Sequence, residues 1–302
     1  MRRISLETGK WRLRLLSLAL GLAIAAGGRA EEVPEGGKGE DAAPVQSRSG
    51  VTSGLGELEL RRDFPDEVVW LDLADDGQAL GLFLPAYREP AKGALVLLGD
   101  AGETAASGLA GSLRRQLADR GWATLALALE APSPSLQRRL ETAAVPVPGD
   151  SGAAGTGALP AVVAEADGNE TGPETEFRKR IREMLSAAQA ELAGRGFEQP
   201  MILGVGYACN YLAYWPDQAG VPEVMIWVAP VFYPALRSGL AEWLESSRGL
   251  TLLELSSSRA GLGRRWPGVS GYSYQRVALT QPPSVQNAGA VANRIHGWLM
   301  AR

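Results

Sequence analysis

A chain of 302 residues with 45% hydrophobic content is long enough to bury one large core, and its net charge of −4 comes without a dense Lys/Arg stripe, which argues against nucleic acid as a partner. The single cysteine, Cys209, excludes an intrachain disulfide and any Cys-based zinc or iron–sulfur site. The single histidine, His296, removes most His-rich metal sites, so neither metal nor cofactor is expected.

Residues 1–30, "MRRISLETGKWRLRLLSLALGLAIAAGGRA", join a basic start to an apolar run from Leu15 to Ala26 and small residues at Gly28 and Ala30. This is the layout of a secretory signal peptide with cleavage after Ala30, and it predicts a periplasmic protein without a stable membrane span. The apolar run is shorter than the roughly 20 residues of a spanning helix. An uncleaved signal, leaving an inner-membrane anchor, is the alternative. The segment holds six Lys/Arg and one acidic residue, so its removal leaves 24 basic against 33 acidic residues, a net of −9. Residues 31–50 carry no aromatic and almost no large apolar residue, too little to offset the entropy of ordering, and the reading is a disordered leader to residue 55.

From Gly56 onward one α/β domain is expected. "EVVWLDL" and "ALGLFLPA" flank the turn "ADDGQ", an antiparallel hairpin signal. Next come the apolar strand "GALVLLGD" (93–100), an amphipathic helix over 107–121 closed by Gly121, and the strand "WATLALALEA" (122–131). Residues 131–172 interrupt the series with an Ala/Gly/Pro-rich tract without aromatics, read as a flexible surface insertion; a lid is the alternative. Its "NET" (169–171) matches a glycosylation sequon by chance. A helix over 174–194 follows, with "RKRIR" as a solvated face. Strand "PMILGVG", helix "ACNYLAYW", strand "EVMIWVAP", helix "ALRSGLAEWLES", strands "LTLLELS" and "YSYQRVAL" and a last helix ending "ANRIHGWLMA" complete about eight strands. Strands apolar on both faces and separated by helices predict a mostly parallel sheet covered on both sides.

The order of elements resembles the α/β-hydrolase fold. The block "LVLLGDAGETAASGLAGSLRRQLADRGWATLALAL", the turn "LGVGYA" and the ending "RIHGWLMA" resemble a family of exported bacterial proteins, a domain of unknown function related to that fold. The resemblance implies the fold and an envelope location, and no activity.

In such enzymes the nucleophile sits on a strained strand-to-helix turn, flanked two residues away by small side chains. Gly204 and Ala208 meet the packing demand, and Gly206, without a hydroxyl, takes the tip. After "LTLLEL" come Ser256, Ser257, Ser258 and Arg259 with no carboxylate, and Glu254 within the strand suits a structural role. The loop "TQPPSVQN" (280–287) holds no histidine, and His296 lies about ten residues later, inside the last helix. A Ser–His–Asp mechanism is therefore not encoded.

Three residues remain as candidates for other chemistry. Cys209 lies one helical turn past the elbow, where a buried inert thiol competes with a nucleophile lacking a base. His296 is a candidate base. Asp100, in the loop that would supply an oxyanion-hole amide, is either a turn or cap residue or, with Glu103, a carboxylate pair or cation ligand. Asp100, Gly204, Gly206 and Tyr207 outline the expected pocket. The expected role is binding of an unidentified small molecule or envelope protein without catalysis. The alternatives are an unconventional periplasmic hydrolase, esterase-like or glycan-directed, and an envelope adaptor using Tyr211, Tyr214 and Trp215.

Overall fold

The computed structural model describes residues 56–74, 77–142, 172–213, 222–247, 249–257 and 273–302. The expected signal peptide, the leader to residue 55, the sequon at 169–171 and the aromatics Tyr214 and Trp215 lie outside the described residues.

Among the described residues eight strands form one sheet: β1 (Val68–Asp72), β2 (Gln78–Leu84), β3 (Ala94–Ala101), β4 (Ala123–Leu129), β5 (Met201–Val205), β6 (Val224–Val228), β7 (Thr251–Ser257) and β8 (Ser273–Leu279). Their order is β1-β2-β4-β3-β5-β6-β7-β8. β2 runs antiparallel to both its neighbours, and every other pair is parallel. The hairpin and the parallel series thus stand as the apolar runs predict, and the order is that of the α/β-hydrolase fold.

Among the described residues seven α-helices cover the two faces: α1 (Glu57–Asp63), α2 (Gly108–Ala118), α3 (Pro134–Glu141), α4 (Pro173–Gly194), α5 (Ala208–Ala213), α6 (Arg237–Ser246) and α7 (Ala288–Met300). Alternate residues of each central strand feed opposite layers. Leu95, Leu97, Leu203, Val205 and Ile226 pack with Leu109 and Leu113 of α2 and Val291 and Ile295 of α7. Val96, Leu98, Ile202, Met225 and Trp227 pack with Leu136, Leu185, Leu212 and Leu240 from α3 to α6. Each fully buried leucine contributes about 1.5–3 kcal/mol of transfer free energy, so β3 and β5, apolar on both sides, form a rigid floor for whatever their ends carry.

One reading of the sequence changes. Residues 131–172 are not loop throughout, because α3 occupies their start. Ser133 accepts the Leu136 amide at 3.4 Å as N-cap, Pro134 takes the first turn, and Leu136 and Leu140, four apart, are both buried. Residues 143–171 lie outside the described part.

Candidate functional site

The site lies where β3 and β5 end side by side. Gly206 follows β5 directly and adopts φ +59°, a left-handed conformation that glycine takes without a Cβ clash. Its amide donates to the Val228 carbonyl at 3.0 Å, and its carbonyl accepts from Val231 at 3.1 Å. A Cβ at Gly204 would press on Leu212 Cδ1 at 2.6 Å, and Ala208 is fully buried. The two small residues let α5 lie against its own strand, as a nucleophile elbow requires.

Asp100 fills the space over that turn. Its Oδ1 accepts the amide of Ala101 at 2.8 Å and the amide of Tyr207 at 2.8 Å, bridging 107 positions of sequence. A Cβ on residue 206 would overlap both carboxylate oxygens of Asp100. Glu103 turns back on the same loop and accepts the Asp100 amide at 3.3 Å. Burial raises the Glu103 carboxyl above its ordinary value; the amide bond opposes this shift and the Asp100 charge adds to it.

Aromatic and amide side chains hold the surrounding loops. Tyr207 and Tyr233 stack with centroids 4.6 Å apart. Asn210, 1% exposed, donates to the carbonyls of Tyr207 and Val231 and accepts the Tyr233 amide at 3.0 Å. This one side chain ties the elbow to the loop after β6, where Ala229 is held at φ 50°, a conformation costing a non-glycine residue about 1–3 kcal/mol. Burial pushes the Tyr233 hydroxyl up to about 12 and that of Tyr211 higher still. Asn210 and Tyr233 were not singled out from the sequence. The available signal was a polar residue inside the otherwise apolar "ACNYLA".

The remaining candidates do not converge on the elbow. Cys209 is buried, its Sγ donating to the Gly204 carbonyl at 3.4 Å. Burial, followed by the Glu254 and Asp100 charges, raises the thiol well above its ordinary value, so it stays protonated. His296 accepts the Trp122 indole N–H through Nδ1 at 3.0 Å. Trp122 precedes β4 and Gly206 follows β5, so this histidine sits at the opposite rim, roughly 20 Å away along strands of this length. Glu254 is buried within β7, where its Oε2 accepts the Tyr274 hydroxyl at 2.8 Å and Arg276 lies 3.7 Å from its Oε1. In the loop 280–287, Ser284 and Asn287 cap one another ahead of α7. Among the described residues no group of three His, Cys, Asp or Glu side chains gathers as a metal site, and no helix is long and apolar enough to cross a membrane.

Among the described residues, concavities lie elsewhere. A cleft of about 640 Å³ opens at the rim opposite the elbow, bounded by Lys92, Trp122, Glu198, Glu223, Leu299 and Arg302. A smaller apolar pocket between α1, β2, β4 and α4 is lined by Leu60, Leu80, Leu129, Phe177, Ile181 and Met184.

The model of one protein family, described as "Protein of unknown function (DUF3530)", matches residues 13–253. No curated protein matches the chain. Solved structures of similar fold include the esterase domain of a Rhodothermus marinus protein (11% identity, TM-score 0.45, 76% of this chain and 96% of that one), a dienelactone hydrolase from Anabaena variabilis (11%, 0.49, 78% and 96%) and a Pyrococcus furiosus esterase (10%, 0.48, 80% and 95%).

Proposed function

The chain belongs to the DUF3530 family, and from that premise we propose that it is an exported protein of α/β-hydrolase-like fold that binds a small molecule or an envelope protein and does not cleave acyl esters by Ser–His–Asp chemistry. One observation carries the reading: the elbow keeps its backbone and its small flanking residues, while its tip is Gly206 and the space of a nucleophilic side chain holds the Asp100 carboxylate. Acyl transfer needs a nucleophile, a base in hydrogen-bond contact with it and a group that orients the base. His296 and Glu254 are engaged elsewhere, and Cys209 is an ordinary buried thiol. The basic and apolar start of the chain supports export. The 640 Å³ cleft falls within the size range of small-molecule sites and supports a binding role.

Activity-based labelling tests the reading. A fluorophosphonate is expected to leave the native protein unmodified, and an iodoacetamide probe is expected to spare Cys209 until the chain is denatured. Stoichiometric fluorophosphonate modification at any serine would favour an unconventional hydrolase instead. Fractionation of expressing cells should place the mature chain in the periplasm, with its N-terminus following Ala30.

A further inference from the structure

In a nucleophile-elbow enzyme two backbone N–H groups stabilise the developing oxyanion, one from the residue after the nucleophile and one from the loop following β3. Tyr207 is the residue after Gly206, and Ala101 ends β3. Both amides survive here and converge, each at 2.8 Å, on one atom that is already an anionic oxygen, Asp100 Oδ1. We infer that the elbow retains a working oxyanion-binding pair whose resident ligand is the protein's own carboxylate, and that the pair takes a small carboxylate from solution once the Asp100 side chain is removed.

The geometry explains why one position cannot change without the other. The carboxylate lies within 2.5 Å of where residue 206 would place its Cβ, so a nucleophilic side chain and the built-in ligand exclude each other. With Oδ1 between the two amides, an ester carbonyl oxygen finds no free donor there. The inference is independent of whether a ligand occupies the cleft at the opposite rim, so it can fail while the binding role stands.

Chemical rescue tests it. Asp100→Gly deletes atoms equivalent to acetate and leaves two amides without an acceptor. In chloride the variant should melt below the wild type. Acetate or formate at matched ionic strength should raise its melting temperature saturably by about 2–4 °C, with no comparable rise in the wild type. The Ala101 and Tyr207 amide resonances of the variant should shift with acetate, while the Gly206 amide, bonded to Val228, should not. If the variant does not fold in chloride, refolding from urea in acetate should recover it. Equal responses of variant and wild type, no response of either, or no acetate-dependent refolding would overturn the inference.

Discussion

The carboxylate of Asp100 and the missing side chain of Gly206 compete for the same space: a Cβ built on residue 206 lies 2.2 to 2.5 Å from the carboxylate atoms, well inside van der Waals contact. The two positions come from the ends of adjacent parallel strands and are joined by the Tyr207 amide. Gly206→Ala meets this carboxylate and also the cost of holding an alanine at φ +59°, about 1–3 kcal/mol. It should destabilise the protein by about 2–4 kcal/mol. In a double-mutant cycle, Asp100→Gly with Gly206→Ala should cost at least about 1 kcal/mol less than the two single costs together. Urea unfolding of the four proteins measures the coupling, and strict additivity would contradict the shared volume.

Cys209 is expected to be chemically silent. Its Sγ is buried, bonded to the Gly204 carbonyl and held protonated chiefly by desolvation. Ellman's reagent should find no thiol in the native protein at pH 8 and one thiol per chain in guanidinium. Rapid native reaction would show an ionised thiol and reopen the question of a cysteine nucleophile.

His296 should act on stability and not on chemistry. Burial, followed by the charges of Lys92, Arg120 and Arg88, lowers its folded pKa below the ordinary 6.5. The unfolded chain then takes up its proton first as the pH falls. Its contribution is therefore fully present above pH 6.5 and is lost as the pH drops through the lowered folded value. A protonated ring also loses the Nδ1 acceptor that Trp122 uses. His296→Asn, which does not titrate, should flatten the stability profile between pH 7 and 5. An unchanged slope would place the titrating group elsewhere.

Most of the scaffold was legible in the sequence because its signals are local. Runs such as "GALVLLGD" and "PMILGVG" are apolar on both faces, which suits parallel strands covered on both sides. The elbow was legible for the same reason, since Gly204, Gly206 and Ala208 answer demands within one turn. Helix α3 was obscured by the Ala/Gly/Pro-rich composition around it, although Ser133, Pro134 and the Leu136/Leu140 pair are ordinary start and packing signals. Asp100 could be placed on the same rim as Gly206, but its bond to Tyr207 spans 107 positions and depends on the register of β3 against β5. The Trp122–His296 bond likewise joins positions 174 apart, and no local pattern encodes it.

The most direct measurement is turnover of p-nitrophenyl esters, from acetate to long acyl chains, by the purified protein. Release of p-nitrophenol should match the rate of a heat-denatured control for every chain length. Saturable turnover above that control, abolished by Asp100→Asn or Cys209→Ser, would contradict it.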